Sequence, residues 1–246
     1  MSTGIWAAAS GMVGQTAALD VAAGNVANAA TPGYRADRAI FRQTLAQATN
    51  RAVPTQSFRY SVVRTVEPDR RAGQTMQTGR ALDLALRQND QWFVVKTPEG
   101  ERYTRAGNFM IAPDGRLTTQ NGHPVLGAGR QPLSVPAGSR DVSIDPAGNL
   151  VVDGVENGSK LMVVSFARPE GLQKEGSVLL RATPAAGRPA ERDPELATGC
   201  LELSNASALE GMTTLVTATR EFEMLSRVVE AFSSTEQRAA SIAGTR

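Results

Sequence analysis

The chain has 246 residues, 41% of them hydrophobic and 20% charged, with a formal net charge of +2. That is enough to bury a substantial core in one or two modules, and no stretch approaches the roughly 18 consecutive apolar residues of a membrane span. Cys200 is the only cysteine and His123 the only histidine, which excludes an intrachain disulfide and a thiolate metal cluster.

The first element, over residues 5–30, reads as a helix. Ile5, Met12, Leu19 and Val26 recur every seven residues, with Ala9, Thr16 and Ala23 four positions after the first three, a narrow seam along one helical face. Asp20 is the only charged residue before Arg35, and alanines crowd the remaining positions. An outer face meeting only water would have little reason to stay uncharged, so close helix neighbours are expected on several sides. A two-helix core on an ordinary domain is the plainer use of such a stripe. No basic region precedes an apolar core here, so any export is expected to need no cleaved signal of the standard kind. Asn28-Ala29-Ala30-Thr31-Pro32-Gly33 ends the helix: the residue before proline leaves the helical region, and Gly33 permits positive φ.

Residues 31–80 carry nine arginines against Asp37, Glu67 and Asp69. A helical start near 35–48 is expected, followed by extended chain, so that 35–80 forms an Arg-rich connector. Such a segment is either solvated or laid on the acidic helix face of a neighbouring subunit. No helix-turn-helix, zinc or aromatic ribonucleoprotein pattern accompanies it, and no nucleic-acid partner is expected.

From residue 81 the pattern turns to β. Leu82, Leu84 and Leu86 alternate with Asp83 and Ala85. Trp92–Thr97 runs into the Pro98-Glu99-Gly100 turn, and Arg102-Tyr103-Thr104 returns. Ile111–Leu117 and Ile144–Leu150 repeat one plan of strand, Pro and Gly turn, strand. Leu161–Phe166 supplies a further apolar strand. Residues 81–181 are thus expected as a central antiparallel β-rich domain, and 182–203, with Pro184, Pro189 and Pro194, as a linker back to the last helix. That helix is expected to start near Ser207, which precedes Glu210 at capping-box spacing. Leu209, Met212, Val216, Phe222, Leu225, Val229 and Phe232 then keep helical spacing with no proline. A run of about 35 residues exceeds the usual globular helix and points to a coiled coil or bundle. The fold class is α+β, with residues 1–34 and 204–246 as a terminal helical module.

No motif for chemistry stands out. Asp114 and Asp145 sit in turns, where Asp bonds its own backbone, and the glycines between 107 and 129 make no phosphate cradle. His123 lies in a Gly122-His123-Pro124 turn with no nucleophile motif beside it. No catalytic residue, cofactor or metal site is expected, and the chain reads as a structural protein rather than an enzyme.

Four stretches carry a family resemblance: Asn25–Tyr34, Gln77–Leu86, Tyr103–Gly127 and Leu201–Asn205. In that order they resemble the axial proteins of the bacterial flagellum, which include rod, hook and hook-associated subunits. The resemblance implies a structural subunit of the basal-body rod, in which the terminal helices pack on each other and on those of neighbours while the β-domain decorates the tube. Gln88-Asn89-Asp90-Gln91-Trp92 is similar to the proximal-rod branch, with the distal rod as the alternative and a rod-associated cell-wall enzyme a distant one. The implied partners are other rod and hook-basal-body subunits in a homo- or hetero-oligomer, without membrane insertion, at a basal body whose rod crosses the periplasm. The residues expected at subunit contacts are Ile5, Met12, Leu19, Asn25, Val26 and Asn28 in the first helix and its end, and Leu209, Met212, Phe222, Leu225, Val229 and Phe232 in the last.

Overall fold

The computed structural model describes residues 3–47 and 57–243. Two compact units divide the chain: Met1–Ala27 with Asp37–Asp69 and Ser207–Arg246, and Asn28–Ala36 with Arg70–Ala206.

The first unit holds α1 (Thr3–Ala27), the strands β1 (Asp37–Gln47) and β2 (Ser57–Pro68), and α2 (Ala208–Ala243). The helical start expected near 35–48 is instead β1, paired antiparallel with β2 from Asp37 opposite Pro68 to Gln47 opposite Ser57. The reason is the partner. Ser57–Pro68 is rich in Val, Tyr, Phe and Thr, and a ladder of cross-strand pairs outweighs the weak helical preference of the preceding stretch. The Asn25 side chain fixes where the ribbon begins: its Oδ1 accepts the Asp37 N–H at 2.8 Å and its Nδ2 donates to the Asp37 carbonyl at 2.9 Å. Arg38 closes the same end on Asp69 at 2.9 Å. The part of the expected connector over 48–56 lies outside the described residues.

The second unit is built from short strands: β3 (Thr75–Gln77), β4 (Leu84–Leu86), β5 (Gln91–Thr97), β6 (Gly100–Thr104), β7 (Met110–Ile111), β8 (Leu117–Thr118), β9 (Val142–Ile144), β10 (Asn149–Val152), β11 (Val155–Lys160), β12 (Val163–Ser165), β13 (Leu172–Glu175), β14 (Leu179–Ala182), β15 (Ala190–Arg192), β16 (Leu196–Thr198) and β17 (Cys200–Glu202). The hairpins read from the sequence appear as β5–β6, β7–β8 and β9–β10, all antiparallel. A six-stranded sheet in the order β13-β14-β6-β5-β12-β15 forms the centre.

Both faces of that sheet are covered. Phe93, Val95 and Val163 point into a cluster with Leu84, Phe109, Leu117, Leu150 and Leu196. Trp92, Val94 and Val164 belong to a second cluster with Tyr103, Met162, Phe166 and Leu172. This explains why Trp92–Val95 and Leu161–Val164 are unbroken apolar runs rather than alternating ones: period 2 then sends apolar side chains to both faces. Phe166 meets Trp92 and Tyr103 edge-on, with ring centroids at 5.6 and 4.8 Å.

Residues 182–203, expected as a linker, carry β15 on β12, β16 on β4 and β17 on β3. Pro184 and Pro194 fall between strands and Pro189 just precedes one, where a missing N–H breaks no ladder. Leu196 and Leu201 are buried, and their burial is what turns this proline-marked stretch into pairing strands.

One polar knot lies inside this unit. The Glu202 carboxylate, in a residue 3% exposed, accepts from two guanidiniums and one backbone amide. Arg105 Nε and Nη2 reach its Oε2 at 2.8 and 2.6 Å, while Arg35 Nη2 and the Gly73 N–H reach Oε1 at 2.6 and 3.2 Å. Arg105 spends its remaining N–H groups on the carbonyls of Gln88, Gln91 and Leu86, at 2.6, 2.7 and 3.2 Å. All five of its donors and all four acceptor positions of the carboxylate are therefore in use. The surrounding backbone is stitched as tightly: Gly33 N–H donates to the Glu202 carbonyl at 2.8 Å, and Asn205 accepts the Ala36 N–H at 2.6 Å while donating to the Arg71 carbonyl at 2.8 Å. Gly33 holds the positive φ of 71° expected of it. Lys174 Nζ stands 3.8 Å above the Tyr34 ring and donates to the Arg35 carbonyl. Asp83 and Gln91 are buried exceptions: neither Asp83 carboxylate oxygen nor Gln91 Oε1 has a hydrogen-bond partner, and Arg80 Nε is 3.9 Å from Asp83.

Removing one partner of a buried, saturated ion network leaves the other charges uncompensated, at about 3–5 kcal/mol. Glu202→Gln should therefore lower the stability of this unit by that amount in denaturant unfolding, and an unchanged midpoint would remove the network from its central place. A second prediction concerns acid. Glu175 hydrogen-bonds Arg102 at 2.8 Å, and this contact holds its carboxyl below the ordinary carboxylate range. The stabilisation it gives is present above the unfolded-state value and is lost as pH falls through the lower folded one. Glu175→Gln should flatten that part of the acid-side loss in unfolding curves taken from pH 6 downward, and an identical pH profile would contradict it.

Candidate assembly interface

The helix α2 begins where the capping box puts it. Ser207 Oγ accepts the Glu210 N–H at 3.3 Å, so one orphan donor of the first turn is satisfied. Along its 36 residues, Gly211, Leu215, Ala218, Phe222, Leu225 and Val229 alternate spacings of four and three, and each is buried or half-buried. This seam meets α1 running antiparallel. Leu225 lies against Gly11, Glu221 bonds Gln15 at 2.6 Å, and Gly211 lies against Val26. A Cβ at Gly11 would stand 3.1 Å from Leu225 Cδ1, and one at Gly211 2.5 Å from Val26 Cγ2. The two glycines thus let the helices close up near both ends of their contact. Ala8, Ala22 and Ala218 are buried.

The residues expected at subunit contacts divide three ways. Phe222, Leu225 and Val229 lie in the α1–α2 seam, and Met12, Leu19 and Val26 on α1 are half-buried. Asn25 and Asn28 have their amides engaged within the chain, with Asp37 and Thr31 respectively. Leu209, Met212 and Phe232 are exposed. Ile5 is in α1, but its side chain falls outside the described residues.

Further apolar side chains join the exposed group: Val216 and Val13, and then Met224 and Val228, two turns and one turn before Phe232. Leu209, Met212 and Val216 are 75%, 53% and 54% exposed, and Met224, Val228 and Phe232 are 59%, 42% and 39% exposed. At 100° per residue these two triads sit on different flanks of α2, roughly 130° apart, with the α1-facing seam on the remaining side. Met224 and Val228 do not follow the seam's alternation, so that spacing does not pick them out. Their spacing of four before Phe232 was the available signal.

Pocket chemistry offers less. A crevice of about 410 Å³ opens beside Arg105 and Glu202, yet the hydrogen-bonding capacity of both is already filled by the chain. Among the described residues no group of three or more His, Cys, Asp or Glu is placed to hold a metal ion. No described helix is long and apolar enough to cross a membrane.

The chain matches three family models: flagella basal body rod protein over residues 5–35, the flagellar hook protein FlgE/F/G D1 domain over 88–152, and the flagellar basal body rod FlgEFG protein C-terminal region over 197–242. It is 36% identical to the flagellar basal-body rod protein FlgF of Salmonella typhimurium, covering 89% of each chain. It is 30% identical to the flagellar basal-body rod protein FlgG of Bacillus subtilis, covering 93% of this chain and 94% of that one. FlgF of Escherichia coli is similar at 33% identity, covering 89% of each chain. The matched segments coincide with both helices and with the sheet built on β5 and β6, and the chain belongs to the flagellar basal-body rod protein family as a structural subunit of that rod.

Proposed function

We propose that this subunit is of the F type, in the proximal rod, and that it enters the axial shaft through its terminal helices, beside copies of itself and other rod and hook-basal-body subunits. The observation that carries the assembly reading is the pair of apolar triads on separate flanks of α2. A helix that has already covered one face on α1 and still shows six large apolar side chains has two more neighbours to meet. Each such side chain contributes roughly 1.5–3 kcal/mol when buried, before the entropy of ordering is subtracted. The terminal module, 1–34 with 204–246, is then the assembling part and the β-rich unit its decoration. The saturation of Glu202 and Arg105 favours a subunit that works by packing rather than by turnover. Similarity to FlgF at 36% and the Gln88–Trp92 stretch support the F type over the G type of the distal rod. In this reading the subunit reaches the periplasm-crossing rod by flagellar type III export, without loss of a cleaved signal.

Met212→Asp with Val216→Asp on one flank, or Met224→Asp with Val228→Asp on the other, should abolish swimming and remove the subunit from isolated basal bodies, while circular dichroism of the purified variants keeps the wild-type helix content. Leu19→Asp and Phe222→Asp should give the same loss of motility through the helix pair. Normal swimming with either flank charged would end the proposal. Type is tested by complementation: expression in a strain lacking FlgF should restore rods, and restoration only in a strain lacking FlgG would reassign the chain to the distal rod.

A further inference from the structure

The dipeptide Asn-Gly occurs twice in the chain, at Asn121-Gly122 and Asn157-Gly158, and both asparagines are exposed. The pair is chemically unstable for a reason of access: glycine has no Cβ to shield its amide nitrogen from the side-chain carbonyl of the residue before it. Both glycines also hold the same left-handed backbone, with φ of 78° at Gly122 and 77° at Gly158. What separates the two sites is where their hydrogen bonds lie. At the first, the bond is on the nucleophile. Gly122 N–H donates to the Thr119 carbonyl at 2.9 Å, and the turn is tied twice more, by Thr119 N–H on the His123 carbonyl at 2.9 Å and by His123 N–H on Thr119 Oγ1 at 3.2 Å. To attack, the Gly122 nitrogen has to lose the proton it donates and rotate its peptide plane out of a closed turn. At the second site the bond is on the electrophile. Ser159 N–H donates to Asn157 Oδ1 at 3.0 Å, so the side-chain amide is polarised and the oxygen that takes up negative charge on attack already faces a donor. The ladder leaves this stretch out as well: β11 pairs with β10 through Val155, Glu156 and Lys160, and the register shifts between them, with no cross-strand partner for residues 157–159.

We propose that Asn157 is a site of spontaneous modification, converting to aspartate and isoaspartate through a succinimide, while the fold protects Asn121 from the same reaction. The Gly158 nitrogen gives up its proton to hydroxide and bonds to Asn157 Cγ. The oxyanion on Oδ1 then collapses, the Cγ–Nδ2 bond breaks, and the side-chain nitrogen leaves as ammonia after taking a proton from water. Water opens the ring at either carbonyl: one opening gives aspartate, and the other routes the backbone through the former side chain. One water is consumed and one ammonia released, with no oxidation or reduction. Because residues 157–159 stand outside the ladder, the extra backbone methylene of isoaspartate breaks no cross-strand pair. Either product adds an exposed carboxylate to a hairpin that already bears Asp153 and Glu156. The nearest cation in sequence, Lys160, is held by Asp193 at 2.7 Å, so the new charge stays uncompensated and the hairpin grows more acidic as the molecule ages.

The test uses the folded full chain, aged in mildly alkaline buffer at physiological temperature and then digested with trypsin, which puts the two sites in separate peptides, 141–160 and 117–130. Mass spectrometry reads the shift that exchange of an amide for a carboxyl produces, with Asn157→Asp as the standard for one product and Asn157→Gln as the chain in which peptide 141–160 should not shift. Conversion should be about tenfold or more greater at Asn157 than at Asn121, the factor that one turn hydrogen bond on the attacking nitrogen is able to impose. The same chain held unfolded in urea should convert both asparagines at comparable rates, because neither glycine amide is then tied. Equal conversion in the folded chain, faster conversion at Asn121, or none at Asn157 would each overturn the proposal. So would an undiminished difference in urea, which would place the cause in the neighbouring residues and not in the fold. None of these readouts depends on rod assembly, so their failure leaves the rod reading standing.

Discussion

The β-rich unit depends on one arrangement, a buried carboxylate shared by two guanidiniums. Glu202 faces Arg35 and Arg105, and desolvating three charges is expensive unless every hydrogen-bonding position is filled. Here every one is, by chain segments far apart in sequence. Arg35 arrives from the turn segment between α1 and β1, Gly73 from the approach to β3, Arg105 from just past β6, and Glu202 from the end of β17. If any of these segments is misplaced, charge is left bare, so the network penalises partial assembly of the unit more sharply than apolar packing does. It also explains why the stretches carrying the family resemblance are dispersed: Asn25–Tyr34 leads directly into Arg35, and Tyr103–Gly127 and Leu201–Asn205 supply Arg105 and Glu202.

The helical unit follows the opposite rule. Its seam is Ala, Gly and a few larger side chains, close-packed because Gly11 and Gly211 have no Cβ to hold the helices apart. Burial on such a seam is shallow, and α2 keeps more of its large apolar side chains outside than in. An isolated globular domain gains nothing from that distribution, whereas a subunit that completes its core with neighbours requires it. The contrast between a unit that satisfies itself and a unit that does not is the structural basis for assigning assembly to the helices.

Much of this was legible in the residues. Helix ends were readable because their chemistry is local: Ser207 with Glu210, and Thr31-Pro32-Gly33, each act within a few positions. The hairpins over 91–104, 110–118 and 142–152 were readable for the same reason. What escaped was non-local. Nothing in 37–47 announces a strand until 57–68 is known to pair with it, and 182–203 looked like a linker because its prolines are visible in sequence while the buried partners of Leu196 and Leu201 are not. The residues expected at subunit contacts show both cases: Phe222, Leu225 and Val229, picked by their helical spacing, turn to α1 of the same chain, whereas Met224 and Val228 fall outside that spacing and only the packed pair reveals their exposure.

Charge placement decides what kind of force remains for association. The arginine excess over residues 31–80 suggested a basic segment seeking an acidic face elsewhere, yet Arg35, Arg38, Arg70 and Arg80 each have a carboxylate of the same chain within 4.0 Å. Much of the apparent field is therefore spent locally, and an exposed pair such as Arg70 with Glu170 adds little at physiological salt. The exposed triads of α2, by contrast, contain no ionisable group. Association through them rests on removing apolar surface from water, a force that salt screens weakly and that fades on cooling. On the proposed assembly, a shaft held in this way resists changes of ionic strength, and its specificity comes from shape rather than from paired charges.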